Sequence, residues 1–137
     1  VPISDYRKSF DIIRNNEREN KLIETYDLTG DYVIVNRAFG TDPDDSDNFT
    51  VETDKMVHVM NFKQDKSNGF NVFDWIKAFE NASEIHTVGT CICYLIDKYC
   101  QDTEIHMYQR RHPNQEQTHH NEINLVYRNP NWIYENE

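Results

Sequence analysis

The segment Ile85 to Tyr99 constrains this chain most, because it is the longest nearly apolar stretch in an otherwise strongly polar sequence. Val88, Thr90, Ile92, Tyr94 and Ile96 alternate with Gly89, Cys91, Cys93 and Leu95. Alternation with period two points to a strand, and a strand that is largely apolar on both faces belongs at the centre of a sheet. A chain of 137 residues has room for one such core, so residues 1–137 read as a single domain.

Other segments supply the partners of that strand. Ser4 can cap a helix in which Tyr6, Phe10 and Ile13 share a face. The run Arg14 to Lys21 is polar before Leu22, Ile23 and Tyr26 resume, so residues 4–26 read as a leading helix that projects through solvent or touches the domain only at its ends. Thr29-Gly30-Asp31 breaks the chain, and Tyr32 to Phe39 follows as a strand rich in β-branched and aromatic residues. In a second strand Met56, His58, Met60 and Phe62 alternate with Lys55, Val57, Val59 and Asn61, which aims His58 into the core. Gln64 to Gly69 reads as a loop.

Asn71 then caps a helix whose Val72, Trp75, Ile76 and Phe79 recur at helical spacing. After the central segment, Thr103 to Arg111 and Glu122 to Arg128 read as a hairpin, and residues 129–137 as a tail that leaves the sheet at Pro130. The expected fold is α+β: a leading helix and an antiparallel sheet of about five strands, in the order helix, two strands, helix, three strands. No internal repeat is evident on this reading.

That element order resembles PAS-like and related sensor domains, in which a long leading helix feeds two strands, a helical segment and a three-stranded meander. The resemblance is one of element order over residues 4 to 128, and it implies a sensory fold.

Composition narrows the function classes. Aromatic residues number 17, enough bulk for a core, and collagen, coiled coil and full-length disorder are excluded. No apolar run approaches the roughly 18 residues needed to cross a bilayer, so membrane contact would need a segment beyond this sequence. With 4 glycines there is no GxGxxG or GxxxxGK[ST] loop for phosphate. A formal charge of -10 repels a phosphate backbone and argues against direct DNA or RNA binding, while it can attract a basic protein. The start at Val1-Pro2 suggests a trimmed fragment or mature product, and an extracytoplasmic location is slightly favoured.

Three sets of side chains could carry chemistry. His106, His112, His119 and His120 lie on or around the expected hairpin, where they are candidates for sensing a ligand or pH, since an unperturbed imidazole titrates near 6.5. Their spacing is not that of a metal motif. Asp42, Asp44, Asp45 and Asp47 lie in the most acidic stretch and are candidates for binding a partner. Asp42, Asp44 and Ser46 place oxygens at alternate positions as calcium loops do, although the sixth-position glycine is Asp47 and position twelve is Thr53.

Of Cys91, Cys93 and Cys100, which sit within ten residues, Cys91 and Cys93 fall in the central strand on this reading, away from the helix start where a nucleophilic thiol usually sits. Buried free thiols are expected, and any bridge would have to involve Cys100. Asn48-Phe49-Thr50 and Asn81-Ala82-Ser83 match the glycosylation sequon, at a frequency that the abundance of asparagine explains.

Three functions are compatible with these features. The first is a noncatalytic sensory or regulatory domain that binds another protein chain or a small apolar ligand, responds to pH, and needs no cofactor. The second is an acidic inhibitor, of immunity-protein or nucleic-acid-mimic type, acting on a basic partner such as a nuclease. The third is a histidine-dependent hydrolase or nuclease.

Overall fold

Strand formation begins where the sequence is richest in β-branched residues. Tyr32–Asn36 (β1) is buried at every position, which requires neighbours on both edges and matter on both faces. A computed structural model describes residues 7, 10–37, 49–108 and 129–135, and in it β1 lies between Met56–Val59 (β2) and Glu84–Val88 (β3). Glu104–Tyr108 (β4) and Trp132–Tyr134 (β5) extend the sheet, giving the order β2-β1-β3-β4-β5. All four pairings are parallel.

The expected antiparallel sheet is therefore wrong, and with it the PAS-like resemblance. Parallel neighbours need a connection that returns the chain to the same end of the sheet. Two such returns are helical. Phe62–Ser67 (α2), a 3-10 turn at Val72–Trp75 and Ile76–Asn81 (α3) join β2 to β3, and Ile92–Tyr99 (α4) joins β3 to β4. The segment read as one long central strand is thus a strand, a break at Gly89-Thr90 and a helix. Ile92, Leu95 and Ile96 are buried at helical spacing, while Tyr94, expected in the core, is 43% exposed. Residues expected to form a loop at Gln64 to Gly69 lie largely in α2. Pro130 precedes β5 instead of ending the sheet, so its missing N–H interrupts no ladder.

The leading helix is Asn16–Thr25 (α1), shorter than expected. Phe10 to Asn15 is not helical and Ile13 is almost fully exposed, while Ser4 and Tyr6 lie outside the described residues. Its polar run does not project into solvent; ion pairs dock it. Glu19, 1% exposed, receives Arg14 Nη2 at 2.6 Å and the backbone N–H of Lys77 at 2.9 Å, and Arg14 also reaches Glu80 at 2.8 Å. Arg18 pairs with Asp74 at 2.8 Å. A charge buried this far is tolerable only with such partners, so these pairs fix where α1 sits.

Helices α1, α3 and α4 all pack on one face of the sheet. There Trp75, Phe79, Leu22, Ile92 and Ile96 meet Tyr32, Ile34, Ile85, Ile105 and Met107. The stripe read from Val72 to Phe79 is borne out, including the Asn71 cap, which forms a capping box with Asp74. His58 faces the same side, against Tyr26 at 4.7 Å and Trp75 at 5.3 Å between ring centroids.

The opposite face carries a smaller cluster, Val33, Val35 and Val88 beneath Phe49, Val51 and Tyr108. Strand order explains the imbalance. Right-handed crossovers in one direction put their helices on one face, and only the β1-to-β2 connection runs the other way. Phe49 and Val51 belong to that connection. Among the described residues no helix covers the second face, and no helix is long and apolar enough to cross a membrane.

Candidate functional site

Two places combine polar chemistry with a structural reason for being there. The first is the carboxyl edge of the sheet between β1 and β3, where the chain changes direction. From β1 the chain goes to β2 on one side and the later strands build up on the other, so the strand order reverses at this point, where open parallel sheets commonly bind ligands.

Asn36 ends β1, fully buried, and donates from Nδ2 to Thr87 Oγ1 at 3.1 Å. Thr87 donates in turn to the carbonyl of Val88 at 2.8 Å, which ties the ends of β1 and β3 together. Gly89-Thr90-Cys91 then turns into α4. No side chain caps the start of this helix; in its opening turn the Cys93 N–H donates to the carbonyl of Thr90 at 3.0 Å and the Tyr94 N–H to that of Cys91 at 3.3 Å. Thr90 Oγ1 is buried there and meets no hydrogen-bond partner among the described residues. On the second face Arg37 lies over the ring of Phe49 at 5.1 Å, and Phe49 stacks on Tyr108 at 3.9 Å with their planes 8° apart.

Cys91 is exposed at the start of α4, whereas Cys93 and Cys100 are buried, and none of the three forms a disulfide. This corrects the placement of the cysteines in mid-strand. Burial pushes the Cys100 thiol far up, which keeps it protonated and inert.

The second place lies on the sheet face opposite α1, α3 and α4. The sequence Glu-Ile-His occurs at 84–86 and again at 104–106, on adjacent strands paired Glu84 with Glu104 and His86 with His106. Both histidines therefore rise from the same face in register, and their rings stack 4.4 Å apart and 3° from parallel. His86 Nε2 lies 2.9 Å from Glu84 Oε1 and its Nδ1 lies 2.8 Å from the Tyr108 hydroxyl. His106 Nε2 lies 2.8 Å from Glu104 Oε2, and its Nδ1 lies 2.8 Å from Glu135 Oε1.

Environment separates the two rings. Burial pushes the His86 pKa down, with Glu84 opposing it and the charge of His106 adding to the fall. Burial also acts to lower His106, but hydrogen bonds to Glu104 and Glu135 outweigh it and the net shift is upward. The hydrogen bond from His86 holds the Glu84 carboxyl below its ordinary value. Tyr108 is pushed up to about 12, by burial first and then by Glu135 and Glu84. A phenol that keeps its proton donates to Nδ1 of neutral His86, which leaves Nε2–H to donate to Glu84. His106, set between two carboxylates, is the ring whose protonated form is favoured, and when protonated it donates at both nitrogens. One donor atom from each of Glu84, His86 and His106 can be chosen so that all lie within 4.8 Å of one another.

Of the residues singled out from the sequence, His106 stands in this cluster. His112, His119 and His120 lie outside the described residues, as do Asp42, Asp44, Asp45, Ser46 and Asp47. Among the described residues the partners of His106 are Glu104, Glu135 and His86. Sequence reasoning missed His86, and the signal that could have found it is the repeated Glu-Ile-His at a spacing suited to strand, helix, strand. No protein-family model matches the chain, and neither a curated protein nor a solved structure is significantly similar to it.

Proposed function

We propose that this chain is a binding unit for a small ligand that carries an anionic group, seated at the carboxyl edge between β1 and β3. The reversal of strand order there carries the reading, because open parallel sheets bind ligands where their connections diverge. The Thr90 hydroxyl, unpartnered among the described residues, and the N–H groups of Cys91 and Ile92 at the uncapped start of α4 supply donors for a phosphate or carboxylate. Arg37, which directly follows Asn36 at the end of β1 and is held against Phe49, is the cation next to this edge in sequence. The overall charge of -10 does not oppose this, since salt confines such a field to about 8 Å while the helix N–H groups act at contact. A noncatalytic sensory or regulatory role remains the broader proposal, now with a place for its ligand.

Titration with inorganic phosphate and pyrophosphate, followed through backbone amide resonances, tests the reading. The largest shifts are expected at Thr90, Cys91 and Ile92, and Thr90→Val should weaken binding about tenfold, the loss of one hydrogen bond to a charged group. Shifts confined to exposed Lys and Arg residues, or none at all, would overturn it.

A further inference from the structure

We propose that Glu84, His86 and His106 form a binding site for one divalent transition-metal ion of the zinc class, on the sheet face opposite the helices. Three carboxylates, Glu84, Glu104 and Glu135, surround two imidazoles, and Lys55, 3.7 Å from Glu84, is the one basic side chain paired with them among the described residues. That excess of negative charge favours a cation. Imidazole nitrogen selects zinc, cobalt, nickel or copper over magnesium and calcium, which prefer oxygen alone.

Ring orientation is the stronger argument. Each Nε2 faces the carboxylate two residues earlier on its own strand, while each Nδ1 is held from behind by an oxygen, Tyr108 for His86 and Glu135 for His106. Metal-ligating histidines have this arrangement, with one nitrogen for the ion and the other fixed by an outer partner that sets the tautomer. The Tyr108 hydroxyl can accept as well as donate, so His86 can carry its proton on Nδ1 when Nε2 binds the ion.

The donor atoms lie within 4.8 Å of one another, wider than the edge of about 3.3 Å implied by bonds of 2.0–2.1 Å in a tetrahedral site. Binding must draw the two rings inward at their Nε2 ends, and the ion displaces the protons now shared with Glu84 and Glu104. Glu104, 53% exposed, leaves one side open to solvent for entry and for a fourth ligand.

The test uses the full chain and zinc ion alone, followed by calorimetry and thermal melting, with cobalt as a spectroscopic substitute. One equivalent should bind and raise the melting temperature, and cobalt should give the intense visible absorption of a tetrahedral centre. His86→Gln and His106→Gln should each lower affinity at least tenfold. Glu135→Gln, which removes only the outer partner of His106, should lower it about tenfold while leaving the fold intact. A variant with His112, His119 and His120 all changed to Gln should bind as the wild type does. Absence of binding, retention of full affinity in His86→Gln and His106→Gln, or loss of binding in the triple variant would each overturn the proposal.

Discussion

The two faces of the sheet differ in what their strands carry, although they share one backbone. On the helix side Tyr32, Ile34, Ile85, Ile105 and Met107 meet Trp75 and Phe79 in a dry core. On the other side the same β3 and β4 present Glu84, His86, Glu104, His106 and Tyr108. Crossover direction produces the difference. Successive right-handed returns stack their helices on one face, so among the described residues the other face is covered by Phe49, Val51 and Tyr108. Ionisable groups can then be held half-buried and paired without the full cost of desolvation that the helix side would impose.

Substitutions on the two faces should reveal the contrast. Phe79→Ala, on the helix side, should lose about 3 to 5 kcal/mol, read as a lower denaturation midpoint with an unchanged slope. A loss below 1 kcal/mol would mean that the helix face is not the main core. Asp97→Ala should lose about 1 to 3 kcal/mol, because it leaves the buried indole N–H of Trp132 and the N–H of Asn129 without their acceptor. Tryptophan fluorescence during unfolding would report it.

A pH series sharpens the comparison on the helix side. Burial pushes the His58 pKa down, with Asp65 partly opposing it, so the folded state binds this proton less readily than the unfolded chain does. The stability that neutral His58 allows is complete above the unfolded value of about 6.5 and is lost as pH falls from there through the folded value. His58→Gln should therefore narrow its stability gap from the wild type, or overtake it, on acidification, as urea melts from pH 7.5 to pH 4.5 would show. A constant gap would place His58 in water. Smallest of all, Val59→Ser at the exposed edge of the second face should change stability by no more than about 0.5 kcal/mol.

Much of the helix side was legible in the sequence. The spacing of Val72, Trp75, Ile76 and Phe79, the Asn71 cap and the inward aim of His58 follow from local periodicity alone. Strand direction was not legible, because it depends on connections whose course local pattern does not encode. In Ile85 to Tyr99 the apolar residues satisfy period two and helical spacing together, and β-branched residues favoured the strand. Length was the discriminating clue, since strands seldom exceed about 10 residues. The histidine pair was hidden for a related reason: His86 and His106 meet only when β3 and β4 run parallel and in register.

Asp97 carries a consequence for the order in which structure is lost. It lies on α4, yet its carboxylate holds the approach to β5 through the N–H of Asn129 at 2.6 Å and the indole of Trp132 at 2.8 Å. The last strand is thereby conditional on the helix: β5 can detach while α4 stays formed, but α4 cannot unwind without releasing β5. Native-state hydrogen exchange would then rank the amides of β5 below those of α4 in protection, and raising denaturant should merge the two only at the global transition.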